Sequence, residues 1–413
     1  MHPLKNIIEE HLVEGRVTPG EYVTIHIDVA GVNDLYLQVI EAFEAMGGGR
    51  VWAPGKVCFF LDHYAPPSTI KAATNQRVLR EFARKQGIER VFDVNAGVCH
   101  QLLVDHRLVR PGSTVAVTDS HTTTHGACGA FSTGVGATDM AAILLTGKLW
   151  IRVPEIIRVE IQGKLSTGVM AKDVILHVLK ILRADGAVYK AIEYTGSTVY
   201  ELPLDQRSVL TNMSVEMGAQ STYIAPDEAC WEYYNAVTSP HLLGSGDSDE
   251  LSDVIQCDVT ELTPQVALPE GIDRVVDVAE VAGTRVDQVY IGSCTGGRLT
   301  DLAVAAGILE EQVVAKGTRL LVSPASRGVY LRALQEGYLE TIVGAGGTIL
   351  NPGCGPCLGI HQGLLASGEV CVSAASRNFP GRMGSREARI FVTSPATAAM
   401  TAVRGRIASP LNR

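Results

Sequence analysis

Short apolar runs and amphipathic stretches take turns along this chain. Ile7, Ile8, Leu12 and Val13 fall near one helical face, which predicts an opening helix ended by Gly15 and the Pro19-Gly20 pair. Residues 23–28 alternate as a strand does, and 33–46 carry helical periodicity up to three consecutive glycines. Strands are expected at 57–63, 90–94 and 114–120, with a helix over 69–87 and a glycine-rich helix over 126–147. Residues 156–163 alternate again, 241–253 read as a polar exposed loop, and the prolines of 262–271 read as a linker. Further strands are expected at 286–294, 318–324, 348–354 and 370–376, before one last strand-and-helix stretch.

Strand–helix–strand alternation predicts an α/β fold of mainly parallel sheets wrapped by helices. Breaks near Trp150 and within 262–271 divide the chain into three expected α/β units, 1–150, 151–270 and 271–413. Parallel sheets bind ligands beyond the carboxyl ends of their strands. Asp62, His63, Asp119 and His121 each end a predicted strand, so they fall on an expected active-site rim.

Composition then narrows the class. The 413 residues are 46% hydrophobic and 19% charged, which is a folded composition long enough for two or three domains. No apolar run approaches the roughly 18 residues of a membrane span, and acids interrupt the N-terminal stretch where a signal peptide needs an apolar core. Nine thinly spread cysteines argue for a reducing, cytoplasmic setting rather than a disulfide scaffold. A net charge of −9 without a long basic run argues against nucleic-acid binding, while leaving small anionic ligands open.

Three constellations carry chemistry. The first is Cys294 in G-S-C-T with Cys354 and Cys357 in G-C-G-P-C-L-G, all beside glycines at predicted strand ends. Three thiolates, two close and one remote, suit a cubane iron–sulfur cluster with one iron lacking a protein ligand; a zinc site or a redox dithiol stays open on spacing alone. An iron without a thiolate binds substrate oxygens as a Lewis acid, which suits expulsion of hydroxide from a hydroxy-acid. The remaining cysteines, Cys58, Cys99, Cys128, Cys230, Cys257 and Cys371, read as small buried hydrophobes. The second constellation pairs histidine with carboxylate: Asp62-His63, His100, and Asp119-Ser120-His121. A lone histidine is more often structural, but three at strand-to-loop junctions, two of them beside Asp, fit proton transfer. The third is Arg377 and Arg382, which bracket a Pro-Gly turn and either sit in solvent or clamp carboxylates.

Taken together these residues resemble the aconitase superfamily, and more closely its large iron–sulfur subunits of isopropylmalate dehydratase and homoaconitase type. The motifs D-H-Y-A-P, G-V-C-H-Q, T-D-S-H-T-T-T-H-G-A, N-M-S-V-E-M-G-A, G-S-C-T, G-C-G-P-C-L-G and S-R-N-F-P-G-R-M-G occur in family order over nearly the whole chain. The resemblance implies a 4Fe–4S cluster on Cys294, Cys354 and Cys357, with one iron lacking a protein ligand. It implies a hydro-lyase acting on a hydroxy-dicarboxylate or -tricarboxylate, with leucine biosynthesis as the setting of its isopropylmalate branch. Asp62 and His63 match the pair that protonates the departing hydroxyl, and His100, Asp119 and His121 the network around it. Ser120 and Asn212 match substrate-contacting positions, Glu216 the glutamate near the departing group, and Arg377 and Arg382 the carboxylate-binding arginines. Asn212 and Glu216, four apart, are expected on one helix face.

The chain departs from the family pattern at Gly296-Gly297, at Ser376 and around Val32. Where the residue matching Val32 is glutamine, the family binds a third carboxylate, so Val32 predicts an apolar substituent such as isopropyl or methyl. Homoaconitase and a dimethylmaleate- or citraconate-type hydratase are the alternatives, with an RNA-binding regulator or an inactive structural homologue as readings of another class. The family's base serine sits on a swivelling fourth domain. No stretch of this chain is left for one, so the resemblance implies a separate small α/β subunit that supplies it.

Overall fold

All four residues of Val57–Phe60, of Val29–Val32 and of Thr114–Val117 are buried, the pattern of interior strands covered on both faces. In the computed structural model, which describes residues 1–235, 246 and 250–411, these three strands form the centre of a five-stranded parallel sheet. Its order is Val91–Phe92, Val57–Phe60, Val29–Val32, Thr114–Val117, Phe131–Gly134. A second parallel sheet is ordered Ser221–Tyr223, Ala191–Thr195, Ile156–Gln162, Asp253–Asp258. A third, of seven strands, is ordered Val275–Asp277, Gln265–Ala267, Arg389–Thr393, Val370–Ser373, Gln288–Ile291, Arg319–Val322, Thr348–Ile349, and is antiparallel only on either side of Gln265–Ala267. An antiparallel ribbon of Leu12–Glu14, Tyr22–His26 and Lys148–Arg152 completes an α/β architecture of mainly parallel sheets. Among the described residues no helix is long and apolar enough to cross a membrane.

Local chemistry sets the helix ends. Thr69 accepts the amide of Ala72 at 3.1 Å to start helix Ile70–Gln86, and Gly87, at φ 70°, stops it in the left-handed region.

Four expectations need correction. The opening helix ends at Glu10, and Leu12 pairs with Ile25 in the ribbon instead of continuing it. Its chain reversal is fixed by His11, whose ring bonds the Ile7 carbonyl and the Asp28 carboxylate at 2.8 Å each. Val29–Val32 is a strand that the sequence reading passed over. The helix expected at 126–147 is the tail of a 3-10 segment, Ser120–Cys128, then strand Phe131–Gly134, then helix Ala137–Thr146. Gly129, at φ 73°, turns the chain between the first two. The expected linker 262–271 contains Gln265–Ala267, a fully buried strand. Its prolines flank that strand and do not interrupt it, as a hydrogen-bonded ladder requires. Of the polar loop expected at 241–253, residues 241–245 and 247–249 lie outside the described residues.

The 3-10 segment is seated against the second sheet at Gly126, whose missing side chain leaves room for both the side chain and the carbonyl of Thr222. A methyl group there has nowhere to go. Gly126→Ala is expected to lower unfolding stability by about 1–3 kcal/mol through overpacking, read as a lower urea midpoint at unchanged m value. An unchanged midpoint would show that the contact relaxes freely.

Candidate active site

The carboxyl ends of the five-stranded and seven-stranded sheets open into one cavity of about 220 Å³. Adjacent strands of the first sheet deliver Asp62 and His63, then Asn33 and Asp34, then Asp119, Ser120 and His121. The seven-stranded sheet delivers Cys294 after Gln288–Ile291, Cys354 and Cys357 after Thr348–Ile349, and Ser376, Arg377 and Arg382 after Val370–Ser373. His100 enters from the first turn of helix Cys99–Asp105.

The histidines and carboxylates form two buried networks. His63 Nδ1 lies 2.8 Å from Asp62 Oδ1 and 3.0 Å from Asp34 Oδ2, and Asp62 Oδ2 accepts the amide of Cys99 at 2.9 Å. Burial alone would strip a proton from His63, but the Cys354 sulfur, Asp62 and Asp34 outweigh it and hold the ring well above the ordinary imidazole range. His63 therefore holds its proton more tightly than an ordinary imidazole does. In the second network Asp119 Oδ1 accepts from His100 Nε2 at 3.0 Å and from the His121 amide at 2.8 Å, while Asn33 Nδ2 donates to Asp119 Oδ2 at 3.2 Å. Burial pushes the Asp119 carboxyl up, yet the two histidines pull it well below the usual carboxylate range. Burial and Arg377 act to lower His121, but Asp119 and Glu216 prevail and raise it to about 9.

Glu216 joins this network to the arginine loop. His121 Nε2 lies 3.0 Å from its Oε1, and Arg377 Nε donates to the same oxygen at 2.6 Å. Arg377 Nη2 also donates to Ser120 Oγ at 3.0 Å. Arg382 is buried with its Nη2 3.6 Å from Cys357 Sγ. Burial works against a low Cys357 pKa, but Arg382, His121 and His63 together hold it below the usual thiol value.

A single tetrahedral ion on bonds of ~2.3 Å holds its sulfurs about 3.8 Å apart. Among the described residues, the ligand triples whose atoms all lie within 4.8 Å are Asp62–His63–Cys354 and Cys99–His100–Asp119, and Cys294–Cys354–Cys357 is not one of them. The wider spacing disfavours a lone zinc and suits a larger inorganic core. Backbone shape agrees: Ser293 takes φ 69° to aim Cys294, and a side chain on Gly355 would meet the Tyr290 hydroxyl at 2.9 Å. That hydroxyl donates to the Cys354 carbonyl at 2.8 Å, fixing the second cysteine loop. His100 Nδ1, Ser376 Oγ and Arg382 Nε, all on cavity-lining residues, are buried without a hydrogen-bond partner. Such orphaned groups mark a site shaped for a polar guest. The residues fit an iron–sulfur cluster.

The glycine departure has a steric reason. A side chain on Gly296 would meet the Ala374 methyl at 2.6 Å, and one on Gly297 would strike the Ser323 carbonyl, so the loop after Cys294 packs directly on neighbouring strand ends. All nine cysteines are free and buried, and Cys371 lies inside strand Val370–Ser373, away from the cavity lining.

Two expected substrate contacts lie elsewhere. Val32 is fully buried in the core of the first sheet and does not line the cavity; Asn33, Asp34 and Leu35 occupy that rim. Asn212 stands behind the cysteines, with Nδ2 donating to Thr124 Oγ1 at 2.7 Å and Oδ1 3.7 Å from Cys294 Sγ. It shares no helix with Glu216: helix Leu204–Met213 ends first, and Glu216 belongs to the 3-10 turn Ser214–Met217. Asn33 and Asp34 were missed because Val29–Val32 was missed. Once that strand is recognised, its carboxyl end is the signal.

The profile of the Aconitase family (aconitate hydratase) matches residues 5–283 and 277–405. A Methanopyrus kandleri protein named 3-isopropylmalate dehydratase large subunit 1 is 50% identical over 394 residues, covering 95% of this chain and 94% of that one. A probable 3-isopropylmalate dehydratase large subunit of Methanothermobacter thermautotrophicus is 49% identical over 96% of this chain and 95% of its own. A probable methanogen homoaconitase large subunit of the same organism is 42% identical over 98% of this chain and 97% of its own. Thermococcus kodakaraensis aconitase X shares the fold at a TM-score of 0.52 and 17% identity, covering 86% of this chain and 84% of that one. The same cavity holds the cysteine loops, the histidine–aspartate networks and the arginine loop, and the matched sequence runs through every one of them: the chain belongs to the aconitase family.

Proposed function

We propose that this chain is the large subunit of a hydro-lyase of 3-isopropylmalate dehydratase type, which interconverts hydroxy-dicarboxylates through an unsaturated intermediate. The observation that carries the reading is that one cavity joins a buried, proton-retaining His63 to three cysteines and two arginines. Cys294, Cys354 and Cys357 hold a 4Fe–4S cluster with one iron left without a protein ligand. When bound, the cluster supplies a Lewis acid for the departing hydroxyl.

The chain's own residues do the rest. Arg377 and Arg382 orient the substrate carboxylates through charge-assisted hydrogen bonds, and Ser120 Oγ helps to hold one of them. His63, steadied by Asp62 and Asp34, gives its proton to the leaving hydroxyl. Asp119 fixes the tautomer of His100 by accepting from Nε2, and Glu216 accepts from Nε2 of the protonated His121 and holds that ring in place. The base that takes the carbon-bound proton comes from a small α/β partner, a reading supported by the large-subunit names of the relatives. The three expected units, 1–150, 151–270 and 271–413, are supported in outline by each large sheet drawing its strands from one stretch of chain, but Gln265–Ala267 belongs to the seven-stranded sheet and moves the second boundary ahead of Gln265. A reducing cytoplasm suits nine free, buried thiols.

The substrate reading moves from Val32 to the rim. Leu35, Val98 and Leu358 line the cavity and offer apolar surface to a substituent. An isopropyl or methyl substituent fits them better than a charged group does. The homoaconitase reading keeps its support from the 42% identical relative. A substrate panel decides: isopropylmalate or dimethylmalate should be turned over well ahead of citrate or homocitrate, and the reverse order would overturn the substrate assignment.

Cys294→Ser, Cys354→Ser and Cys357→Ser are each expected to abolish cluster content and activity, with Cys371→Ser leaving both largely intact. Iron and sulfide analysis checks this, and a full cluster in Cys354→Ser would sink the ligand assignment. Arg377→Gln is expected to lower kcat/KM by roughly 10- to 150-fold, the worth of one charged hydrogen-bonding group. The purified chain should hold its cluster yet show no turnover until a partner of about 150 residues is added. Full activity from the chain alone would place the base within it.

A further inference from the structure

Lys172 is a buried lysine that no part of the proposed reaction uses. It sits on helix Ala171–Leu182, beneath the loops that carry Cys294 and Arg377. Its Nζ donates to Thr295 Oγ1 at 2.7 Å, to the Ala374 carbonyl at 2.9 Å and to the Ala375 carbonyl at 3.1 Å. Thr295 Oγ1 in turn donates to the Ala374 carbonyl at 3.1 Å, so one ammonium group ties the cysteine loop to the arginine loop. Three donors meet three acceptors, and the hydrogen-bond needs of the group are met.

Its charge is not. All three partners are neutral oxygens, and among the described residues Lys172 forms no ion pair with a carboxylate. A lone ammonium taken out of water is disfavoured by several kcal/mol unless an opposite charge lies nearby. Asp301 acts on it from a distance, as do Cys294 and Cys357. Three thiolates around a dicationic cubane core leave one net negative charge, and one of those thiolates, Cys294, directly precedes Thr295, to which Lys172 is bonded.

We propose that Lys172 is the built-in counter-charge of the iron–sulfur cluster, a positioning residue that fixes the Cys294 and Arg377 loops and raises the cluster's reduction potential. The inference rests on the cluster reading above. A buried positive charge favours the more negative, reduced core. At an effective dielectric of about 20, one unit charge close behind the ligands is worth on the order of a tenfold change in the reduced-to-oxidised ratio.

The test uses the full-length chain reconstituted anaerobically, with iron and sulfide content and the EPR signal of the reduced cluster as readouts at a fixed redox poise. Lys172→Met should keep its cluster but show a reduced fraction lower by roughly tenfold in ratio, with Lys172→Arg restoring most of it. Equal reduced fractions in wild type and Lys172→Met, at full cluster content, would overturn the proposal. If Lys172→Met takes up no cluster, Lys172→Gln carries the test, because it keeps a donor for the loops while removing the charge. Cluster held by Lys172→Arg and lost from both neutral variants supports the counter-charge. Loss from all three variants makes Lys172 a packing residue and ends the proposal. A wild-type chain that binds no cluster overturns the cluster reading itself, and the two failures stay distinct.

Discussion

Parallel strands all point the same way, so the chain must cross back over the sheet after each one and emerge again at the same edge. Every loop at the carboxyl edge is then a neighbour of every other. In this protein two such edges face a common cavity, and the reactive side chains follow from that constraint. Asp62, Asp34 and Asp119 come from three adjacent strands of one sheet, and Cys294, Cys354 and Arg377 from strands of the other. None of these residues is close in sequence to its partner across the gap. The buried strands beneath supply the rigidity, since Val57–Phe60 and Gln288–Ile291 are covered on both faces and cannot shift without opening the core.

Electrostatics inside the cavity is arranged by alternation. Each carboxylate touches a histidine or an arginine, and each sulfur lies beside a cation or a hydrogen-bond donor: His63 near Cys354, Arg382 at Cys357, Ser293 at Cys294. In a low-dielectric interior an unpaired member of such a set is strongly disfavoured. The network therefore holds both its geometry and its protonation pattern before any ligand arrives, which is what proton transfer at a fixed atom requires.

Much of this was legible in the sequence, because parallel α/β folds write strong local signals: apolar strands of four to seven residues, capped helices and glycine turns. The motif residues at strand ends fell where the alternation put them. What escaped was decided by tertiary contact. Val29–Val32 is too weakened by Ala30 and Gly31 to announce a strand, and Asn33 and Asp34 were lost with it. Val32 looked like a substrate contact by motif, but period-two geometry turns its side chain into the core and leaves the next residues at the rim. Asn212 and Glu216 have helical spacing, yet the helix tightens into a 3-10 turn between them. Lys172 carries no signal in the sequence, and only the loops folded over it reveal the burial.

Arg377 stands where all three large sheets meet, bound to Ser120 from beyond the first and to Glu216 from the second while itself following a strand of the third. The guanidinium is thus already engaged by a carboxylate of the protein. If Arg377 orients a substrate carboxylate as proposed, an incoming anion must compete with Glu216 for the same donors. Glu216 stands at that guanidinium with a local concentration that no dissolved ion can match. A simple monoanion such as acetate would then gain little there, and a molecule with a second anchoring group would be needed to take Glu216's place. On that role, selectivity for multiply charged acids would be set at this one guanidinium, before chemistry begins.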